Sequence, residues 1–295
     1  MRSASDAVAA EPGMWVIEPR HHSVVARLRE LWSYRYLWWF FASATVTSLY
    51  RGSMLGWLWL LLRVVFPIGL NALVFGDMLN QAEAVSDAYR APYFLFFVCG
   101  MAAWMVFERS LIFITRSVEQ HRRLVTRVYF PRLILPIASV APGLVYLAIL
   151  LVVLVLTVVF FHQQTGIWYV TLTPRLGVAA AALILGLLFA IAIGLWTSVL
   201  QARYRDVRYA MRYVMPFWFL LTPVIYPLSQ ISDRYRWLVA LNPMAPIVEA
   251  FKWGTLGEGV FPATSAATSA ALVALTMVTG MWFFNREESA SVDKL

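Results

Sequence analysis

The sequence predicts an all-α polytopic membrane protein with six transmembrane helices, a cytoplasmic interfacial helix near the N-terminus and re-entrant helices on the outer side. Two observations support this prediction. Of the 295 residues, 61% are hydrophobic and 14% are charged, and the mean hydropathy is +0.68. Soluble domains carry about 45–50% apolar and ~25% charged residues. Long apolar runs also alternate with short basic segments, so a soluble cytosolic enzyme is not expected.

Six apolar segments are long enough to cross a bilayer, since a helix rises about 1.5 Å per residue and the hydrocarbon core is ~30 Å thick. Arg63 interrupts the first segment, and Glu108 and Arg109 interrupt the second. Backbone groups in lipid must be satisfied within the segment, so each one is interpreted as a helix. The predicted spans are 52–76, 91–115, 133–161, 176–202, 211–228 and 260–285.

The basic residues predict the orientation of these spans. Six crossings place both termini on one side, and seventeen Arg and Lys residues then lie on that side against five on the other. Such an excess is typical of cytoplasmic loops. We therefore expect a multi-pass protein of the cytoplasmic (inner) membrane, with the segment 1–27 and the tail 286–295 inside the cell. The net charge of +8 is explained by topology, and nucleic acid is not an expected partner.

Two further segments are neither spans nor ordinary loops. Residues 28–49 combine flanking Arg residues with a short aromatic run, which predicts an amphipathic helix in the cytoplasmic interface. Residues 229–259 contain two apolar stretches divided by Asn242-Pro243, each too short to cross, which predicts a re-entrant pair on the outer side. Within it, Glu249 and Lys252 are three residues apart and are expected to pair. Residues 28–285 together form the predicted transmembrane domain.

Five short motifs occur in order along the chain, at residues 50–59, 125–132, 202–207, 222–227 and 241–244. Their order and spacing resemble those of the permease subunits of ABC-2 type transporters, especially the exporters of O-antigen polysaccharide and teichoic acid. Arg63 is a departure, because an uncharged residue is expected there. The resemblance implies a type V ABC exporter-like permease that works as two copies with two separate ATP-binding subunits. It also implies a substrate polysaccharide on an undecaprenyl-type lipid.

The chain has no sequence motif for an ATP site of its own. A phosphate-binding loop needs a Gly-rich turn that ends in Lys-Ser or Lys-Thr, but Trp253 follows Lys252 and Leu295 follows Lys294. HExxH, GxSxG and metal-type Cys/His spacings are also absent from the sequence. We therefore expect no catalytic residue, metal or cofactor in this chain, with ATP and Mg²⁺ held by the partner subunit.

The basic segment 119–132, between the second and third spans, is the predicted contact with the ATP-binding subunit. Its apolar residues repeat with helical spacing, which predicts a short amphipathic helix, and Glu119 has the i,i+4 spacing to pair with Arg123. The alternative is a solvated basic loop that only sets topology. Residues 203–208 are a second possible contact. The predicted contact residues are Glu119, Arg122, Arg123, Leu124, Arg127 and Tyr129.

An aromatic and cationic set within the spans is predicted to line the substrate path. An Arg at the bilayer centre costs about 2.5–3.5 kcal/mol even on the insertion scale, so Arg63 must face protein or water. It either pairs with Glu108 or meets an anionic or polyhydroxy substrate in an aqueous path. Aromatic rings can stack on the C–H faces of sugars, although contact with lipid or with neighbouring helices is the alternative for each. The set is Trp57, Trp59, Arg63, Phe217 and Trp218.

Three Arg residues lie where the pyrophosphate of a lipid carrier would arrive at the cytoplasmic surface. Guanidinium groups bind phosphate oxygens in a bidentate manner. Anchoring to anionic membrane lipids explains the same charges equally well. The residues are Arg29, Arg35 and Arg51.

These observations favour an export permease for a lipid-linked polysaccharide. Within the same fold, a drug, antibiotic or lipid exporter of the ABC-2 type is the alternative. A membrane-embedded glycosyl- or acyltransferase would need a catalytic Asp, Glu or His at an interface, and only Asp77 and Asp206 qualify. A proton-coupled transporter would need a buried carboxylate relay, for which Glu108 alone is available.

Overall fold

In the computed structural model of the protein, the described residues are 32–78, 85, 89–121, 130–259 and 261–292. All regular structure within these ranges is helical. A π-helical segment, Ala72–Met78, continues α2, and two short 3-10 turns precede α8. The helices are α1 Arg35–Ser48, α2 Leu58–Asn71, α3 Tyr93–Gln120, α4 Ile134–Ala138, α5 Ala141–Thr165, α6 Arg175–Arg203, α7 Asp206–Leu221, α8 Arg236–Ala240, α9 Met244–Leu256 and α10 Ala263–Val292.

Five stretches of the described chain are long and apolar enough to cross a membrane, which makes this a multi-pass helical membrane protein. They correspond to the first four predicted spans and to the sixth. The fifth predicted span, 211–228, is not among them. The stretches are Leu58–Gly76, Tyr93–Gln120, Ile134–Thr165, Arg175–Arg203 and Ala263–Glu287.

The fifth predicted span contains only part of a helix because α7 stops at Leu221, after 16 residues. Thr222 then adopts an extended backbone conformation. A residue that precedes proline is disfavoured in the α region, and Thr222 precedes Pro223. The prediction of one continuous helix over 211–228 is therefore corrected to a helix followed by the non-helical segment 222–227.

The ends of two other spans also differ from the predictions. The first begins as a helix only at Leu58, because Gly52 and Gly56 have left-handed φ values of 80° and 52° that turn the chain. The third is divided at Ser139-Val140 into α4 and α5, and Pro142 lies in the first turn of α5.

Helix α3 is the centre of the bundle and is buried along most of its length. Glycines let its neighbours approach closely, as small residues commonly do between membrane helices. A Cβ added at Gly143 of α5 would lie 1.9 Å from Ser110 Oγ, and one added at Gly194 of α6 would lie 2.4 Å from Ile114 Cγ2. The main core is therefore formed by α3 between α5 and α6.

Helix α9 packs into this bundle, and every residue except Trp253 is buried. Gly254 lies directly against the backbone of α6. A Cβ at Gly254 would be 2.6 Å from the Ala179 nitrogen and 2.8 Å from the Arg175 carbonyl oxygen. Because these are backbone atoms, a side chain there would push α9 away from α6.

We therefore expect Gly254→Ala to reduce the yield and the melting temperature of the purified protein. The matched control is Gly177→Ala in α6, where no atom lies within 4 Å of the added Cβ. Replacing an unobstructed helical Gly with Ala is favourable by about 1 kcal/mol, so this control should match or exceed the wild-type melting temperature. Equal melting temperatures for the two variants in the same detergent would contradict the close packing of α9 on α6.

Polar contacts group the loops at two ends of the bundle. At one end, the Arg90 backbone N–H donates to Glu258 Oε2 at 2.5 Å, and Arg175 Nη1 donates to the Gly257 carbonyl at 2.5 Å. At the other end, Glu119 of α3 contacts Arg208 of α7. Each end holds loops that the charge pattern assigns to one side of the membrane, and the two ends are called the outer end, after the predicted side, and the Glu119 end below.

Helix α1 lies at the Glu119 end. Its Phe41 packs on Phe130, and the ring of His121 lies 5.0 Å away. Most of its remaining aromatic side chains are exposed. The part of the predicted interfacial helix before residue 32 lies outside the described residues.

Candidate functional site

At the Glu119 end, one carboxylate joins three helices. Glu119 Oε1 is 2.5 Å from Arg208 Nη2, and Gln201 Nε2 donates to Glu119 Oε2 at 2.5 Å. The three side chains come from the last turn of α3, the last turn of α6 and the first turn of α7. The start of the predicted contact segment 119–132 is thus linked directly to α7.

The sequence did not indicate this link, because Glu119 and Arg208 are 89 residues apart. Sequence spacing predicted Arg123 as the partner of Glu119, and Arg123 is outside the described residues. Five of the six predicted contact residues lie outside the described part of the chain: Arg122, Arg123, Leu124, Arg127 and Tyr129. Their predicted role stays a prediction.

In the interior of the bundle, Asn242 joins the end of α7 to the start of α9. Its Oδ1 accepts hydrogen bonds from Trp218 Nε1 at 2.8 Å and from the Met244 backbone N–H at 3.0 Å. Its Nδ2 donates to Thr222 Oγ1 at 2.9 Å and to the Leu221 carbonyl at 3.3 Å. The buried amide therefore uses both donors and both lone pairs of its oxygen, and it connects two of the motifs singled out in the sequence.

Lys252 is a fully buried cation beside this junction. It donates to the Pro223 carbonyl and to Glu249 Oε1 at 3.4 Å, and its Nζ lies 3.7 Å from the centre of the Phe96 ring. The predicted Glu249–Lys252 pair is confirmed. A buried charge is costly unless it is paired and hydrogen-bonded, and these three neighbours surround the ammonium group.

Tyr89 completes this cluster, since its hydroxyl donates to Glu249 Oε2 at 3.1 Å. Burial and the neighbouring Glu249 carboxylate raise the pKa of the Tyr89 phenol. The phenol therefore remains a protonated donor at physiological pH. Sequence reasoning gave no role to Tyr89, because no local spacing relates it to Glu249.

Arg63 of α2 is exposed and has no ion-pair or hydrogen-bond partner among the described residues. Arg63 does not pair with Glu108, so that interpretation of the sequence is wrong. Glu108 is instead 4.0 Å from Arg109 Nε, and Arg109 lies over the Tyr146 ring at 5.1 Å. Helix α2 turns Leu60, Val64 and Ile68 toward the core, which places Arg63 on another face.

The aromatic candidates for the path separate into two groups. Trp57, Trp59 and Phe217 are exposed, with 65%, 41% and 69% of their surfaces accessible. Trp218 is only partly exposed and packs edge-on against Phe107 at 5.1 Å. On α7, an exposed stripe with i, i+4, i+8 spacing consists of Tyr209, Tyr213 and Phe217.

The structure does not bring the predicted pyrophosphate-binding residues together. Arg35 is the first residue of α1, and Arg51 lies shortly after the last residue of that helix, Ser48. The two exposed side chains are therefore at opposite ends of one helix. Arg29 is outside the described part of the chain. Within that part, no group of three or more His, Cys, Asp or Glu side chains could hold a metal ion.

Comparisons with known proteins agree with this architecture. Curated relatives include the "O-antigen export system permease protein RfbA" of Myxococcus xanthus, 28% identical over 231 residues, covering 78% of this chain and 84% of the relative. A Klebsiella pneumoniae protein with the same description is 24% identical over 212 residues, covering 70% and 76%. A second one from Klebsiella pneumoniae is 22% identical over 204 residues, covering 69% and 73%. The profile of the family "ABC-2 type transporter" matches residues 36–256, and the chain therefore belongs to the ABC-2 type transporter family.

Proposed function

We propose that the chain is the membrane permease subunit of an ABC transporter that exports a lipid-linked, O-antigen- or teichoic-acid-like polysaccharide across the cytoplasmic membrane. The observation that carries this proposal is the family match over 36–256, together with relatives described as O-antigen export permeases. ATP and Mg²⁺ would be bound by two separate ATP-binding subunits. The carrier would be an undecaprenyl-type lipid.

The proposal includes six crossings, of which α7 and the segment 222–227 form the fifth. Arg208, near the start of α7, contacts Glu119, and the Tyr93 hydroxyl donates to the Ile225 carbonyl at 3.1 Å. Tyr93 and Glu119 lie 26 helical positions apart on α3, so they are separated by ~39 Å. A Cβ added at Gly100 of α3 would lie 2.9 Å from the Val224 carbonyl oxygen, and Gly100 is separated from Glu119 by about 28 Å along the helix. The chain from 208 to 224 therefore runs along α3 for nearly the thickness of the hydrocarbon core, which supports a full crossing and both termini in the cytoplasm.

The short helices α8 and α9 would then form the re-entrant pair. The sixth crossing follows them, and the contacts of Gly257 and Glu258 hold the end of α9 at the outer end. Since α9 has 13 residues, its length of ~20 Å is less than the bilayer thickness. Together, α8 and α9 would enter the bundle and return to the same side.

The substrate path would run along exposed faces of α2 and α7, between two copies of the chain. Arg63 supports this because an unpaired guanidinium deep in a span requires water or a polar ligand. Trp57, Trp59 and Phe217 would offer stacking surfaces beside it. We leave Trp218 out of this path because its indole packs on Phe107 and donates to Asn242.

ATP-driven motion would reach the permease at the Glu119 end. Glu119, the first residue of the segment 119–132, meets Arg208 of residues 203–208 there, and α1 packs beside them. Closure of the ATP-binding subunits would push on this end and change the position of α7. Arg29, Arg35 and Arg51 would meet the pyrophosphate or membrane lipids on the same side.

Reconstitution tests this function. The chain should co-purify with an ABC ATP-binding subunit, and vesicles that contain the complex should export a polyprenyl-linked glycan only when ATP is supplied. A complex whose partner carries a Lys→Ala change in its phosphate-binding loop is the control, and it should bind the glycan lipid without exporting it. Export from vesicles that hold the permease alone, without nucleotide, would contradict the proposal. ATP-dependent export of a small drug but no glycan would favour a drug exporter of the same family instead.

A further inference from the structure

The non-helical segment 222–227 is held in place by side chains from three other parts of the chain. Its carbonyl groups, and those at the end of α7, cannot be satisfied by a continuing helix. Lys252 donates to the Pro223 carbonyl, Tyr93 donates to the Ile225 carbonyl at 3.1 Å, and Asn242 donates to the Leu221 carbonyl at 3.3 Å. Buried backbone carbonyls require such partners, above all within a membrane.

Lys252 is the central donor of these three and lies in tight contact with α3. A Cβ added at Gly100 would be 3.1 Å from Lys252 Cε and 2.9 Å from the Val224 carbonyl oxygen. Val224 and Ile225 are completely or almost completely buried. The lysine side chain therefore occupies a space bounded by α3, α9 and the segment after α7.

Helix α7 packs on the bundle along one side only, where Phe219 and Trp218 lie against Trp104 and Phe107 of α3. Of its 16 residues only Met215 is buried. Its first turn is held by the Arg208–Glu119 pair and its far end by the contacts of Leu221, Pro223 and Ile225. These two attachments, together with the aromatic packing on α3, therefore set the location of the exposed stripe on α7.

We propose that Lys252 is a positioning residue for transport, which holds Pro223 and so keeps the C-terminal end of α7 in place beside the export path. The functional part of this inference rests on the proposed export function. When Lys252 no longer holds Pro223, the segment 222–227 separates from α3 and α7 changes its position. ATP hydrolysis then continues without productive movement of the polymer.

A thiol-accessibility experiment tests the positional part without any substrate. The chain has a single Cys, Cys99, which is fully buried, so the unmodified protein supplies the background. Val224→Cys would be introduced alone and together with Lys252→Met and Glu249→Gln, since the second change removes the carboxylate that would otherwise lose its cation. In purified complexes in nanodiscs, we expect a water-soluble maleimide to label Val224→Cys at least tenfold faster in the triple variant. Equal rates would overturn the inference.

The matched control for this experiment is Glu249→Gln with Val224→Cys, which keeps the Lys252 donor and should remain protected. If the triple variant does not assemble, Lys252→Gln with Glu249→Gln and Val224→Cys replaces it, because the shorter Gln side chain withdraws the donor from the Pro223 carbonyl but keeps a polar group. It should increase labelling severalfold, and unchanged labelling would again overturn the inference.

The functional part is measured as glycan exported per ATP hydrolysed. We expect Lys252→Met with Glu249→Gln to reduce this ratio at least fivefold while ATP hydrolysis continues. A wild-type ratio in an assembled variant would contradict a role in transport. Failure of the wild-type complex to export glycan would count against the proposed function instead, and the labelling result would still decide whether Lys252 holds the segment.

Discussion

Replacing Asn242 with Leu should prevent assembly of the permease and abolish export. The substitution removes the acceptor for Trp218 Nε1 and the Met244 N–H, and the donor for the Leu221 carbonyl and Thr222 Oγ1. A buried polar group that loses its partner costs roughly 1–3 kcal/mol. Several such losses approach the whole stability of a typical protein, which is about 5–15 kcal/mol. The measurement is the yield of detergent-extracted complex in size-exclusion chromatography, together with its melting temperature.

Two further variants make this prediction specific. Asn242→Asp keeps oxygen acceptors for Trp218 and Met244 but loses the amide donors, so its yield should lie between those of the wild type and Asn242→Leu. Asn71→Leu is the matched control, because Asn71 donates one bond to the Pro67 carbonyl of its own helix. It should retain near wild-type yield. Assembly of Asn242→Leu at the wild-type level would show that the junction of α7 and α9 does not depend on this amide.

Reversing the charge of Glu119 should uncouple ATP hydrolysis from export. Glu119→Lys would place a cation beside Arg205 and Arg208, which both interact with the native carboxylate. The pair is substantially exposed, and exposed ion pairs contribute little to stability, so the complex should still assemble. We expect glycan export to fall at least tenfold while ATP hydrolysis persists, because α7 loses its attachment to the end of α3.

The reversed pair separates this interpretation from a general effect of charge. Glu119→Lys combined with Arg208→Glu restores the attraction and should return export to within about threefold of the wild type. The effects of the two single changes should therefore not add, as is expected for residues in contact. Arg203→Glu at the end of α6 makes the same change of charge as Arg208→Glu, but Arg203 lies over the Tyr204 ring and its replacement should reduce export less. If the double variant is no better than Glu119→Lys, the contact does not transmit motion to α7.

Sequence reasoning was successful where a property is local. The predicted span 176–202 corresponds to α6 at Arg175–Arg203, and the break at Asn242-Pro243 separates α8 from α9. The pairing of Glu249 with Lys252 follows from helical spacing alone. Hydropathy and i,i+3 spacing are both properties of a short window, so the sequence contains them directly.

Sequence reasoning was less successful where the backbone changes conformation within a long apolar run. The fifth span, 211–228, was predicted from a run of uncharged residues, but the helix ends before Thr222-Pro223. A proline within an apolar run sometimes kinks a helix and sometimes ends it. Lys252 and Asn242 stabilise the ended form by satisfying the freed carbonyls, and both lie about 20 to 30 residues further along the chain.

The sequence by itself determined that this chain crosses a membrane repeatedly, where most of its helices lie and which loops share a side, because transfer into lipid depends on composition over some twenty residues. The tertiary structure alone decided that Glu119 would meet Arg208, that Asn242 would join two motifs and that Lys252 would hold Pro223. Those contacts depend on how helices pack against one another. Hydrogen bonds between distant residues exist only once α3, α7 and α9 have been brought together.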